Sequence, residues 1–216
     1  MLLKDRAYQE LKELLLSDEV PSGQFMSERS IAERLGMGLA PVRSAIARLK
    51  AERIVEDVPN KGLMVPQMSV SAIHDFYETR SVLESFVVRS LAQGLRPSDR
   101  QRLLDHIELQ HGAVRARDPM LFRRYDYDFH LLLLRLHGNQ ELIMILENLR
   151  VRLDRFHNKT IGSRFEAIPF LVDQHAALAD AIVTESPELA EKILQEHLDW
   201  GRKAMLSREI HLDHTI

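Results

Sequence analysis

The chain has 216 residues, 45% of them hydrophobic and 28% charged, with a net charge of −3, the profile of a globular chain that makes one large domain or two small ones. It contains no cysteine, which excludes disulfides, thiolate metal ligands and cysteine catalysis. No apolar run approaches the roughly 20 residues of a membrane span, and Met1 to Arg6 hold neither an apolar core nor a small-residue cleavage site, so a cytoplasmic protein without a secretory signal is expected.

Tyr8, Leu11, Leu14 and Leu15 predict an amphipathic helix over about Arg6 to Leu16, ended by the turn Val20-Pro21-Ser22-Gly23. Ser27 suits the N-cap of a second helix through Ile31 and Leu35, with Gly36 as its stop. A short turn, Met37 to Ala40, leads to Pro41 at the expected first position of a third helix. Val42, Ile46 and Leu49 lie on its buried side. Two helices joined by so short a turn make a helix-turn-helix. Ile54 to Asp57 and Leu63 to Val65 flank Pro59-Asn60-Lys61-Gly62 and predict a β-hairpin, a wing. From Arg29 to Lys61 seven basic residues outnumber four acidic ones. A phosphate-binding face needs such a local excess, although on charge alone a solvated surface reads the same.

The domain boundaries are expected at residues 1–66, a linker at 67–70 and a helical domain at 71–216. Ile73, Phe76, Tyr77, Val82, Leu83, Phe86, Val87 and Leu91 predict a fourth helix over about Ser71 to Gly94. Arg80 and Glu84 sit one turn apart on it, which by spacing alone is a surface pair. Pro97-Ser98-Asp99 opens a fifth helix that ends near Arg117-Asp118-Pro119. The sixth stops at Gly138-Asn139, and the seventh runs from Glu141 to about His157 with Arg150, Arg152 and Arg155 on it. The eighth carries His175, and Ser186-Pro187-Glu188 opens the ninth.

Chemistry concentrates on three of these helices. Phe122, Tyr125, Phe129, Leu132, Leu133 and Leu136 form the apolar stripe of the sixth. Asp126 and His130, four apart and beside that stripe, share one inward face. His175 lies between Leu171 and Leu178, and His197 between Ile193 and Trp200. Three inward histidines and a carboxylate need either a complete hydrogen-bond network of their own or a shared ion, because each unsatisfied buried polar group costs about a few kcal/mol. A divalent metal is the simplest such ion. His74, His106, His111, His137, His157, His211 and His214 read as surface or incidental. No phosphate-cradling glycine loop, Gly-x-Ser-x-Gly elbow or His-Glu-x-x-His helix is present.

Residues 5–66 resemble the winged helix-turn-helix of the GntR family of bacterial regulators. The resemblance is carried by Pro21-x-Gly23, Ser27-Glu28-Arg29-x-Ile31-Ala32, Leu35-Gly36, Pro41-Val42-Arg43-x-Ala45-Ile46-x-Arg48-Leu49 and the wing Asn60-Lys61-Gly62 with Val65. Residues 69–216 are similar to the all-helical effector (FCD) domain of the FadR branch, in its shorter, six-helix VanR-type form. The resemblance implies a mainly α fold, a winged helix-turn-helix followed by a six-helix bundle. It also implies a homodimeric, non-enzymatic transcription regulator on a pseudo-palindromic operator, with Arg29, Arg43, Lys61 and Gly62 at the DNA. Asp126, His130, His175 and His197 match, in order and helix placement, the positions where the family holds a metal. Zinc suits the donors first, and nickel or manganese also fit. The open coordination positions imply a small carboxylate effector, with Arg80 or Arg152 pairing its charge. Two other uses of the same site are a metal-dependent hydrolase and a direct metal sensor. Gly38-Leu39-Ala40 and Arg53 stand where the family usually has Ser-Arg-Thr and Gly. The first change removes base-reading side chains from the start of the recognition helix and implies an atypical operator.

Overall fold

The computed structural model describes residues 2–16, 20, 23–52, 54–66, 69–149 and 165–212. Arg53, Gln67, Met68, Arg150, Arg152, Arg155 and His157 lie outside them, so the expectations for the linker centre and for an anion-binding Arg152 fall on undescribed residues. The described residues form two compact units, one up to Pro66 and one from Ser69.

In the first unit, α1 (Leu3–Leu16) begins three residues before the expected start. α2 (Glu28–Leu35) opens with a capping box, Ser27 accepting from the Ser30 N–H and the Ser30 hydroxyl accepting from the Ser27 N–H. It closes on Gly36 at φ 62, the left-handed conformation that glycine adopts without strain. α3 (Leu39–Ala51) starts from Gly38, not from Pro41. Proline therefore occupies the third helical position, where its missing N–H is still one of the four with no intrahelical acceptor. Three short antiparallel strands, β1 (Phe25–Met26), β2 (Glu56–Val58) and β3 (Gly62–Met64), form a sheet in the order β1-β3-β2. The hairpin β2–β3 is the expected wing, whereas β1 was not expected. In the wing turn the Lys61 N–H donates to the Val58 carbonyl at 3.0 Å, and Asn60 sits at φ 62 after Pro59, the residue order a type II turn favours. Tyr8, Leu11, Leu15, Ile31, Val42, Ile46, Leu49, Leu63 and Val65 make the core.

In the second unit, α4 (Val70–Gly94) is capped by the Ser69 hydroxyl, which accepts from the Ala72 N–H. α5 (Pro97–Arg115) and α6 (Pro119–His137) follow, α6 capped by Asp118 and stopped by Gly138 at φ 87. Residues 140–149 form α7, and α8 (Ile168–Val183) and α9 (Pro187–Leu212) complete the bundle. α9 packs along α4 and α8, α5 against α6 and α8, and α4 against α6. Val82 and Phe86, among the apolar residues of α4, are 67% and 58% exposed. The inward face of α4 runs instead through Ile73, Phe76, Tyr77, Arg80, Glu84, Val87, Val88 and Leu91. Arg80 and Glu84 are thus buried side chains and not a surface pair.

Candidate metal centre and nucleic-acid interface

Asp126 and His130 come from α6, His175 from α8 and His197 from α9, and all four are buried, at 6%, 2%, 0% and 6% exposure. One donor atom of each lies within 4.8 Å of all the others. The periodicity of three separate helices brings them to one point, as the spacing of Asp126 and His130 led us to expect.

Each imidazole is oriented from behind. His130 Nδ1 lies 2.6 Å from Glu84 Oε2, and the other Glu84 oxygen accepts from Arg80 Nε at 2.6 Å. Burial alone would raise the Glu84 carboxyl, but the Arg80 guanidinium and His130 outweigh it and hold it down at about 2. An ionised carboxylate only accepts, so His130 donates from Nδ1 to Glu84 and turns its Nε2 toward the cluster. Gln110 of α5 turns its amide oxygen to His175 Nδ1 at 2.7 Å and its nitrogen toward His106 Nδ1 at 3.4 Å. His175 likewise donates from Nδ1 and turns its Nε2 toward the cluster. Gln174 Oε1 lies 3.2 Å from His197 Nδ1.

The consequence is electrostatic. His197 Nε2 stands 3.3 Å from His130 Nε2 and 3.2 Å from His175 Nε2, and Asp126 Oδ1 is 3.7 Å from His175 Nε2. The three Nε2 atoms and a carboxylate oxygen thus crowd around one point. Burial lowers the His175 imidazole well below its usual range, and His197 and His130 push it further down, which keeps it neutral and available as a ligand. Two Nε2 atoms bound to one tetrahedral ion at about 2.0–2.1 Å would stand about 3.3 Å apart, so the donors fit a metal. Glu84, Gln110 and Gln174 then supply the hydrogen-bonded support that ligating histidines require.

A cavity opens beside the cluster, with Tyr77, Arg80, Asp126 and His197 on its polar side and Leu171, Leu198, Trp200 and Met205 among its apolar walls. Arg80 thus faces a cavity, whereas Arg152 is not described. His106 departs from its expected surface position. It is half-buried against Tyr125 and Phe129, with ring centres 6.1 Å and 5.9 Å away, because it lies one turn before Gln110 on the side of α5 that meets α6. Gln110 had a readable signal, since it continues the buried spacing of Leu103 and Ile107. Gln174 and the bridging role of Glu84 had none.

In the first unit, Arg29 and Arg43 are exposed and held in ion pairs, Arg29 with Glu33 at 3.2 Å and Arg43 with Glu28 at 2.7 Å. Lys61 Nζ lies 5.0 Å above the Phe25 ring. Gly62 has a backbone reason to be glycine, because at φ 94 a Cβ would stand 2.7 Å from the Met26 carbonyl oxygen. Not all of the local positive excess is free. Arg48 stacks 3.7 Å from the centre of the Tyr8 ring and donates to Glu52 at 3.2 Å, and Lys50 pairs with Asp57. The first turn of α3 offers no side-chain cap, and Leu39 is 42% exposed on it.

Residues 75–199 match the FCD domain, and residues 3–65 match the bacterial regulatory proteins of the gntR family. The chain belongs to the GntR family, in its FCD-domain branch. It is therefore a DNA-binding transcriptional regulator and not an enzyme. The gluconate operon transcriptional repressor of Bacillus licheniformis is 25% identical over 194 residues, covering 88% of this chain and 79% of that protein. The HTH-type transcriptional repressor NanR of Enterobacter sp. (strain 638) is 28% identical over 217 residues, covering 91% and 83%. The E. coli McbR/YncC structure shares the fold, with a TM-score of 0.77 at 20% identity over 97% of this chain and 99% of that one. Among the described residues of this GntR regulator, no helix is long and apolar enough to cross a membrane.

Proposed function

We propose that this GntR regulator is a repressor whose hold on its operator is released by a small carboxylate bound at a metal centre of Asp126, His130, His175 and His197. The observation that carries the reading is the convergence of three imidazole Nε2 atoms whose Nδ1 atoms each face an acceptor, Glu84, Gln110 or Gln174. Imidazole and carboxylate donors suit zinc, with nickel or manganese as the other candidates. When bound, the ion supplies a Lewis-acidic anchor for a carboxylate oxygen.

Charge supports an anionic effector. Arg80 and Glu84 neutralise each other at 2.6 Å, and Asp126 offsets one of the two charges of a divalent ion. One positive charge is left in a buried site, where uncompensated charge is expensive. A monoanion restores balance, and Arg80 lies at the same cavity to orient it.

At the operator, Arg29, Arg43 and Lys61 are the proposed contacts. The exposed pairs of Arg29 and Arg43 are worth little in water, so exchanging Glu33 and Glu28 for phosphates is favourable. A homodimer would place two such units on a pseudo-palindromic site. Metal analysis of the purified chain, with an operator selected from random DNA, tests the reading. We expect about one divalent ion per chain, lost in His175→Ala/His197→Ala. Titrating small carboxylates into the protein–operator complex should weaken binding by roughly 5- to 150-fold, the usual range of allosteric coupling. A response that persists in His197→Ala would overturn the metal-centred reading.

A further inference from the structure

Beside the metal donors and Arg80, the cavity has another hydrogen-bond donor. Tyr77 lies three residues before Arg80 on α4 and is 4% exposed, yet it lines the cavity. Among the described residues its hydroxyl makes one hydrogen bond, donated to Met205 Sδ at 3.2 Å. A thioether is a weak acceptor, and a buried tyrosine hydroxyl ordinarily finds a stronger one. Gly201 of α9 makes the space for it: a Cβ there would stand 2.7 Å from the hydroxyl oxygen and 3.2 Å from the nearest ring carbon. A glycine inside a helix is unfavourable relative to alanine, and at this place it leaves a phenolic oxygen facing the cavity. The Arg80 guanidinium carbon lies 5.9 Å from the centre of the Tyr77 ring, so the two donors can reach one small anion.

We propose that Tyr77 is an effector-binding residue whose hydroxyl donates to a carboxylate oxygen beside Arg80, in a site that selects a compact monocarboxylate. The inference rests on the carboxylate reading above and narrows it. The cavity measures about 30 Å³, room for about two waters or one carboxylate group. Its remaining walls, Leu171, Leu198, Trp200 and Met205, are apolar or aromatic. A short aliphatic tail suits them, whereas a second carboxylate would bury an unpaired charge.

Calorimetric titration of propionate and succinate into the zinc-loaded full chain tests this. Propionate should bind the wild type, and succinate about 10-fold more weakly or worse. Tyr77→Phe removes one hydroxyl from an otherwise isosteric ring and should weaken propionate by about 10-fold or more, as expected for a hydrogen bond to a charged group. Zinc affinity should stay at the wild-type value, because the substitution leaves all four metal donors in place. Gly201→Ala should reproduce the loss, since its methyl displaces the hydroxyl. Unchanged propionate affinity in either variant overturns the assignment of Tyr77 while the carboxylate reading stands. Succinate binding as tightly as propionate overturns the monocarboxylate class. A wild type that binds neither acid overturns both readings together.

Discussion

Replacing Glu84 by glutamine changes one atom type and removes one charge from the centre of the helical unit. Glu84 is fully buried and bonded to Arg80 on one oxygen and His130 on the other, each at 2.6 Å. Glutamine can still accept from His130 Nδ1, but it leaves Arg80, 4% exposed, as a buried cation without its partner. Breaking a buried pair from one side costs about 3–5 kcal/mol, which for a chain of this size lowers the melting temperature by roughly 6–20 °C. Loss of a hydrogen-bonded support behind a ligating histidine should also reduce zinc affinity about 10- to 100-fold. Thermal unfolding of the metal-free protein and competition for zinc against a chelator read the two effects separately. The double variant Arg80→Met/Glu84→Gln removes both charges and should recover most of the melting temperature but not the zinc affinity. If Glu84→Gln melts and binds zinc like the wild type, the pair is not the support it is argued to be.

Gly62→Ala combines φ 94 with a contact 2.7 Å from the Met26 carbonyl and should destabilise the winged unit by about 1–3 kcal/mol. In denaturant titrations Gly36→Ala, with nothing within 4 Å of its Cβ, should lose only about 1 kcal/mol. Arg43→Ala should weaken binding to a selected operator, and Lys61→Ala should lower the salt slope by about one; unchanged binding at low salt in both would remove the DNA role from these residues. Leu39→Arg should shift the preferred sequence toward guanine at the position it reaches, which repeated selection from random DNA would register. Burial and a hydrogen bond to Glu52 raise the Tyr8 hydroxyl to about 12, against an ordinary 10. Its folded pKa lies above its unfolded one, so its contribution to stability is complete below about pH 10 and is lost as the pH rises toward 12. Tyr8→Phe should cost about 1–2 kcal/mol at neutral pH and show a shallower loss across that alkaline window.

The order of helices was legible because caps and stops are local. Ser27 with Gly36, and Gly138, each declare an end through their own chemistry, whereas the caps Ser69 and Asp118 stand in segments expected as linker and as the end of the fifth helix. Where the signal is not local, the sequence was silent. β1 is two residues long, with Phe25 exposed, and exists only through pairing with Met64 and Leu63 of β3, so no alternation announces it. The start of α3 misled for the opposite reason. Pro41 is a strong start signal, but Gly38 caps with backbone geometry and no side chain, and Leu39 and Ala40 then join the helix unmarked.

The candidate site divides along the same line. Helical spacing settles which face a residue occupies, so Asp126, His130, His175 and His197 read as inward from the sequence alone. It does not settle what each inward group meets on another helix. Glu84 on α4 reaches His130 on α6, Gln110 on α5 reaches His175 on α8, and Gln174 on α8 reaches His197 on α9. Those three pairings hold each imidazole by its Nδ1 and turn its Nε2 toward the centre. The spacing of Arg80 and Glu84 fits a solvated surface pair equally well. Only the burial of the α4 face makes that pair an internal one, joined to His130 through Glu84. The donor set is thus written in single helices, but the contacts that orient each donor are written between them.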